Sequence, residues 1–199
     1  MNKIVIATRN QNKLIEMKEI LKDLHYEFVG LEEFPDIPEI EEDGDSFLEN
    51  SLIKARTVYN LTGCPSIGDD TGLEVDYLKG APGVKSARFA GENAASFDNI
   101  SKLLIDLDGI PLEQRTAQFR TIISFVTEQQ EQWVEGIVKG LILNEPQGES
   151  GFGYDSIFYF PPLKKTFAEL SMDKKNKISH RGLALEKFRI LLGKNDFAL

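Results

Sequence analysis

Two adjacent carboxylates, Asp69 and Asp70, stand near the middle of the chain with a glycine close on each side, Gly68 and Gly72. Short apolar runs flank them, so the pattern predicts a tight turn between two strands. Like charges at close range disfavour joint ionisation, and a divalent cation or a hydrogen-bond donor would relieve that cost. The pair is therefore a candidate ligand for Mg²⁺ or a candidate general base acting on water. The structural alternative is an Asx-type turn that accepts only backbone N–H groups.

A second candidate site is a polar junction near the start of the chain, formed by Thr8, Arg9, Asn10, Gln11, Asn12 and Lys13. It lies between a predicted strand, 3–8, and a predicted amphipathic helix, 12–24. Free N–H groups and the helix dipole favour a phosphate at such a point. The glycines of a P-loop or a dinucleotide fingerprint are missing. Simple capping of the helix is the alternative.

Two aromatic side chains and a carboxylate lie among glycines in the segment Gly151–Asp155. Glycine lets backbone approach a ligand closely, and an exposed ring beside it can stack on a planar base. The alternative is a β-bulge whose rings, Phe152 and Tyr154, fill the core.

The strongest cationic cluster runs from Lys174 to Gly182. Ser179 is predicted to cap a closing helix, which would place His180 and Arg181 in its first turn. Cations there oppose the helix dipole by about a few tenths of a kcal/mol. Their placement therefore indicates a bound anion or carbonyl oxygen, although a histidine alone is often structural.

Composition narrows the class of protein. With 199 residues, 41% hydrophobic and 28% charged, the chain is typical of one globular domain. No apolar run is long enough for a bilayer, and the start does not resemble a secretory signal. The single cysteine, Cys64, excludes an internal disulfide and indicates a reducing compartment. We therefore expect a cytoplasmic protein.

Charge is unevenly distributed along the chain. The net charge of −9 argues against a protein that binds nucleic acid by neutralising phosphates. Nine acidic and no basic residues lie within 32–49, whereas nine basic residues face four acidic ones from position 160 onward. This pattern indicates a small anionic ligand, either free or bound to a metal ion.

The elements that would position these groups follow the order strand–helix, strand–helix, hairpin, strand–helix. This order predicts a mixed sheet with helices on its faces. Besides those already given, the predicted helices are 46–62, capped by Ser46, then 96–107 and 179–192, and the predicted strands are 26–30, 117–126, 132–143 and 157–160.

Six short motifs occur in one order: TRNQNK at 8–13, EEDGDSFLEN at 41–50, DDTGL at 69–73, GAPG at 80–83, GFGYD at 151–155 and SHRG at 179–182. Together they resemble the inosine triphosphate pyrophosphatase family, also called dITP/XTP pyrophosphatases, over essentially the whole chain. The resemblance implies a single α/β domain, 1–199, with a long mixed sheet flanked by helices, two lobes and a central active-site cleft. It also implies a homodimer, a Mg²⁺ requirement, and hydrolysis of ITP, dITP and XTP to the monophosphate and pyrophosphate, with neither nucleic acid nor a membrane as partner.

Site residues carry over by position. The resemblance implies that Asp70 is the proton acceptor and, with Glu41, holds Mg²⁺. It implies that the 8–13 junction and Thr71 contact phosphate and sugar. It implies nucleotide and base contacts from Phe152, Gly153, Tyr154, Asp155, Lys175, His180 and Arg181. Lys174 and Lys177 flank Lys175, so the lysine that contacts nucleotide remains open among the three. Ser156 stands where the family usually has proline.

The residues fit the implied reaction. A Mg²⁺ ion would neutralise triphosphate charge, Asp70 would activate a water for in-line attack, and Lys13 would hold the phosphate tail. His180 and Arg181 could donate to a 6-oxo group, which adenine lacks. Two rivals remain: a nucleotide sensor that binds without turnover, and a phosphomonoesterase with Asp70 as covalent nucleophile. The latter needs a DxD-type spacing that is absent here.

Overall fold

The computed structural model describes residues 2–194 of the chain. Within them the strands and α-helices follow in this order: β1 (Asn2–Ile6), α1 (Gln11–Leu21), β2 (Tyr26–Val29), α2 (Phe47–Thr62), β3 (Ser66–Val75), α3 (Ser96–Asp106), β4 (Thr116–Val126), β5 (Glu131–Ile142), β6 (Phe158–Phe160), β7 (Lys165–Thr166), α4 (Met172–Ile178) and α5 (His180–Lys194). None of these helices is both long enough and apolar enough to cross a lipid bilayer.

The strands form one sheet in the order β2-β1-β3-β4-β5-β6-β7. Strand β1 is parallel to both β2 and β3, whereas β6 is antiparallel to β5 and to β7. The predicted mixed α/β sheet is therefore confirmed.

Local signals located most elements correctly. Ser46 caps α2, because its Oγ accepts from the N–H of Glu49 at 3.2 Å while the Glu49 carboxylate accepts from the N–H of Asp45 at 2.9 Å. Ser46 is thus the predicted N-cap, but the reciprocal bond that would complete a capping box comes from the N–H of Asp45 instead of that of Ser46. The long hairpin of β4 and β5 is also confirmed. Helix α4, which carries the lysine cluster, was not predicted.

One prediction about the central carboxylates is wrong. Asp69 and Asp70 do not lie in a turn, because β3 runs unbroken from Ser66 to Val75. Aspartate and glycine are poor strand formers, so the sequence pattern indicated a break. Contacts to distant cations, described below, make the strand favourable here.

The chain divides into two compact units, each with its own core. Unit 1 comprises Met1–Asp70, Thr121–Gly136 and His180–Leu199, and unit 2 comprises Thr71–Arg120 and Ile137–Ser179. The core of unit 2 is aromatic: the ring centroid of Phe158 lies 4.6 Å from that of Phe119 and 4.9 Å from that of Phe167.

The core of unit 1 has two sides, because β1 is covered on both faces. Ile4 and Ile6 pack with residues of α1 and α5, whereas Val5 and Ala7 pack with Val58 of α2. Successive side chains of a strand point to opposite faces. The sheet in unit 1 therefore has one face toward α1 and α5 and the other toward α2.

Candidate active site

Helix α2 lies directly against strand β3 at Gly68. A Cβ added there would lie 1.9 Å from the carbonyl oxygen of Ser51. The Ser51 Oγ also lies 2.5 Å from the Oγ of Ser124 on β4. Lys54 follows Ser51 by one helical turn, and Asp70 follows Gly68 by two strand residues, so both side chains extend in the same direction along this contact. Close packing at a glycine thus brings Lys54 to Asp70.

Lys54 lies between two carboxylates. Its Nζ is 2.6 Å from Oε2 of Glu42 and 3.6 Å from Oδ1 of Asp70. The side chains of Lys54 and Asp70 are both buried, whereas that of Glu42 is partly exposed. An ammonium group therefore occupies the space that two acids share on the α2 side of β3.

Asp69 faces the opposite side of the strand, toward α1 and α5. Its Oδ1 lies 2.5 Å from Nζ of Lys13, and its Oδ2 accepts from Nε of Arg181 at 3.4 Å. Arg181 also donates from Nη1 to Oε2 of Glu16 at 2.5 Å. Asp69, Arg181 and Glu16 are all buried. Four alternating charges thus join β3 to both helices.

The two neighbouring aspartates differ in acidity. Burial raises the pKa of Asp70, and Glu42 and Asp69 add to this effect, while Lys54 and Lys13 oppose it. Burial alone would also raise the pKa of Asp69, but Lys13, Arg181 and Lys54 outweigh it and hold that pKa well below its usual range. Asp69 is therefore a fixed anion, and Asp70 is the group suited to accept a proton.

Helix α5 begins against strand β5. A Cβ on Gly136 would lie 1.9 Å from the carbonyl oxygen of His180 and 2.6 Å from the amide nitrogen of Ala184. His180 and Arg181 are buried at this contact. Ser179 stands between α4 and α5 in an extended conformation, and its capping role stays a prediction.

The 8–13 junction shows the capping arrangement. The Asn10 side chain accepts from the backbone N–H groups of Asn12 and Lys13 at 3.0 and 3.2 Å, and Thr8 Oγ1 accepts from the N–H of Asn10 at 3.2 Å. Gln11 and Asn12 are exposed. Among the junction's side chains, Lys13 reaches the Asp69 carboxylate, so it links the junction to the centre of β3.

A second charged group lies in unit 2. Oδ2 of Asp155 accepts from the backbone N–H of Phe152 at 2.9 Å and from Nζ of Lys175 at 2.6 Å. The same Nζ lies 4.7 Å from the centroid of the Phe152 ring, a cation–π distance. Lys175 is buried, whereas Lys174 and Lys177 are exposed. The structure thus distinguishes Lys175 from its two neighbours.

The two aromatic residues of the 151–155 segment have different surroundings. Tyr154 is buried and donates its hydroxyl to the carbonyl oxygen of Ser86 at 2.9 Å, and burial raises its pKa. The Phe152 ring is half-buried. Gly151 and Gly153 have φ angles of +79° and +60°, so this segment is a turn that favours glycine. The core alternative holds for Tyr154, whereas stacking of a base on Phe152 stays a prediction.

The predicted metal ligands are placed differently from each other. Asp70 is buried, whereas Glu41 is exposed and its neighbour Glu42 is the acid that contacts Lys54. Across residues 2–194 no group of three or more His, Cys, Asp or Glu side chains is arranged to hold a metal ion. The role of Glu41 as a ligand stays a prediction, as does substrate binding by Thr71, which is half-buried on β3.

Sequence reasoning missed Lys54, Glu42 and Glu16. Lys54 lies within the predicted helix 46–62, but lysines are mostly exposed, so its type and position did not indicate burial. Glu16 likewise lies one turn from Lys13 on α1. Their partners are far away in sequence, so only the fold identifies them.

The chain is similar to known proteins over nearly its whole length. The model of the Ham1 family matches residues 4–191. A dITP/XTP pyrophosphatase of Desulforamulus reducens is 49% identical over 193 residues, which cover 96% of each chain. One of Geobacter sulfurreducens is 46% identical over 194 residues, which cover 97% of this chain and 98% of the relative. The solved structure of a HAM1 protein from Coxiella burnetii superposes with a TM-score of 0.90 at 43% identity, covering 98% of this chain and all of that one.

Proposed function

This chain belongs to the Ham1 family, and on that premise we propose that it hydrolyses non-standard purine nucleoside triphosphates, namely dITP, XTP and ITP. The products are the nucleoside monophosphate and pyrophosphate, so cleavage takes place between the α and β phosphates. Removal of such nucleotides cleanses the nucleotide pool.

The observation that carries this proposal is the placement of Asp70. Its carboxylate is buried beside the ammonium group of Lys54, and Lys13 also acts on it electrostatically. Two lysines near a carboxylate of raised pKa supply what the reaction needs: positive charge for a polyphosphate and a base for water.

The donor set fits Mg²⁺. Asp70 and Glu42 offer carboxylate oxygens around one cationic group, and Mg²⁺ in phosphate chemistry takes one or two carboxylates and completes its shell with water and substrate. When bound, the ion supplies neutralisation of phosphate charge and polarisation of the scissile bond. Asp70 would hold it together with an acid of the 41–42 pair: the family resemblance favours Glu41, and the contact to Lys54 favours Glu42.

Each charged residue of the site has a separate role in the proposed reaction. Asp70 accepts a proton from the attacking water, whose oxygen forms the new bond to the α phosphorus as pyrophosphate leaves. Lys54 and Lys13, the two cations that act on Asp70, supply positive charge for the phosphates. Asp69 keeps Lys13 in place, because its low pKa maintains its negative charge. Thr8, Asn10, Gln11 and Asn12 of the junction, together with Thr71, contact phosphate and sugar.

We propose that polar groups which donate to the 6-oxo group of the purine select the base. Phe152 offers its ring for stacking beside Lys175, while His180 and Arg181 donate hydrogen bonds. Arg181 also pairs with Glu16 and Asp69, so its truncation would destabilise the fold as well. The ratio of kcat/KM for ITP to that for ATP is insensitive to the amount of folded enzyme. A lower ratio in Arg181→Ala supports a role for Arg181 in base selection, and an unchanged ratio opposes it.

A nucleotide panel tests the reaction itself. We expect pyrophosphate from dITP, XTP and ITP, far less from dATP and ATP, and none once EDTA removes divalent ions. Orthophosphate as the first product would contradict the proposal. Tight binding of ITP without turnover would identify a sensor, and a trapped acyl phosphate on Asp70 a phosphomonoesterase.

Two further properties are proposed on the same premise. We propose that the protein is a homodimer, which sedimentation at micromolar concentration would test. We also propose that it acts in the cytoplasm, where nucleotide pools and a reduced Cys64 are expected, and fractionation of cells would test this.

A further inference from the structure

Arg9 reaches away from the junction in which it lies. Its Nη2 donates to the carbonyl oxygen of Ile37 at 2.5 Å. Ile37 belongs to residues 32–45, here called the acidic segment, which hold eight acidic and no basic side chains. The guanidinium therefore binds the backbone of the most acidic part of the chain.

The acidic segment has few regular hydrogen bonds of its own, so individual contacts determine its path. Ile37 is buried in the core with Val58, and its N–H donates to the carbonyl of Phe34 at 3.1 Å. Further on, Glu42 pairs with Lys54, and the N–H of Gly44 donates to Oδ1 of Asn50 at 2.8 Å. The bond from Arg9 comes just before the part that carries Glu42.

We propose that Arg9 is a positioning residue that holds the acidic segment so that Glu42 meets Lys54. A hydrogen bond from a charged donor is stronger than one between neutral groups. Only four residues separate Ile37 from Glu42, so fixing one restricts the other. Because Lys54 lies between Glu42 and Asp70, the contact made by Arg9 controls how closely the ammonium group approaches Asp70. The expected effect on catalysis rests on the proposed function, whereas the expected effect on the acidic segment does not.

Two other cations serve as matched controls. Lys3 pairs with Glu33 at 2.8 Å and Lys18 with Glu32 at 3.3 Å, so both hold the start of the same segment but not its central part. The variants Arg9→Met, Lys3→Met and Lys18→Met each remove one cation and keep an unbranched apolar chain. Each variant loses one positive charge, and among the three only Arg9→Met loses the contact to Ile37.

Hydrogen–deuterium exchange of the free protein gives the primary readout. In Arg9→Met we expect the Ile37 and Gly44 amides to exchange about tenfold faster, as expected for loss of one charge-assisted hydrogen bond. In the two lysine variants these amides should exchange as in the wild type. Unchanged exchange in Arg9→Met would overturn the proposal.

Kinetics supply the second readout. Displacement of Glu42 should lower kcat about three- to tenfold in Arg9→Met, with the KM for dITP within about twofold, because Arg9 acts on Lys54 rather than on substrate. A raised KM with unchanged kcat would identify Arg9 as a phosphate ligand and also overturn the proposal. If the wild type releases no pyrophosphate, the proposed function fails, while the exchange result still decides the role of Arg9.

Discussion

The ammonium group of Lys54 lies 3.6 Å from Oδ1 of Asp70, and both side chains are buried. Lys54 is the strongest of the cations that lower the pKa of Asp70 against the effect of burial. In Lys54→Met that pKa should rise further, so the acidic limb of the kcat/KM profile should move to higher pH. Pyrophosphate release measured between pH 5 and 10 checks this, with Lys22→Met as the control because Lys22 is exposed and pairs with Glu19 of α1. A limb that stays in place or moves to lower pH would contradict it.

Asp70→Asn removes the proposed base but keeps the size of the side chain. General-base catalysis contributes roughly 10²–10⁴-fold, so kcat should fall by about that factor. The folded state should persist, and the melting temperature and circular dichroism spectrum would show whether it does. Full activity in this variant would eliminate the mechanism.

Unlike Asp70→Asn, Asp69→Asn should lower mainly the stability of the protein. It leaves Lys13 and Arg181 beside a neutral partner on the α1 and α5 side, and breaking a buried ion pair costs about 3–5 kcal/mol. Asp23→Asn is the control, since Asp23 is exposed and lies 4.0 Å from Arg189. Urea unfolding should show a large loss for the first variant and less than about 0.5 kcal/mol for the second. Equal losses would mean that the buried network contributes little.

Glu41→Gln and Glu42→Gln distinguish the two candidate metal ligands. The variant that removes a ligand should raise the Mg²⁺ concentration needed for half-maximal activity by about tenfold or more. The structure favours Glu42, which lies 2.6 Å from Lys54, and the family resemblance favours Glu41. A Mg²⁺ titration of both variants and the wild type decides between them. If both variants have the same midpoint as the wild type, neither acid is a ligand.

Tyr154 makes stability depend on pH in the alkaline range. Its folded pKa is raised by burial, so its contribution is fully present below the unfolded pKa of about 10 and is lost as pH rises through the folded value. Between pH 9 and 11.5 the wild type should therefore lose more free energy of unfolding than Tyr154→Phe. Tyr77→Phe, at an exposed position, should follow the wild type. Parallel curves for all three proteins would refute this.

Gly68→Ala tests the close approach of α2 to β3. The added methyl would meet the Ser51 carbonyl at 1.9 Å, so the helix must shift and carry Lys54 with it. We expect lower stability and lower kcat. Gly193→Ala is the control, because nothing lies within 4 Å of a Cβ there and alanine favours the helix by about 1 kcal/mol. A Gly68→Ala enzyme as active and stable as the wild type would show that the contact is not needed.

Local patterns predicted much of the fold. The N-cap at Ser46, the hairpin of β4 and β5 and the apolar spacing of α1 each depend on residues close in sequence. The break predicted at Asp69 failed because the groups that stabilise an acidic strand, Lys13 and Arg181, lie far away in the chain.

In the candidate site, too, some features follow from local sequence and others depend on contacts between residues far apart in the chain. Asp70, Lys13 and Lys175 stood out as charged residues in unusual patterns, and the structure gives each a specific partner. Arg9 was predicted to contact phosphate from its position beside a helix start. Its contact with Ile37 depends on how residues 32–45 fold back over the junction, which no local pattern encodes.

Successive side chains of β3 point to opposite faces of the sheet, so the number of residues before Asp69 in the strand decides which face each carboxylate points to. Asp69 and Asp70 point to opposite faces, so their tasks depend on whether an odd or even number of residues precedes them in the strand. Deletion of a single residue before Gly68 would turn the wrong carboxylate toward α2 and leave the other between α1 and α5. We therefore expect length changes in this strand to inactivate the protein more completely than most substitutions, and natural relatives to keep the spacing invariant even where side chains differ.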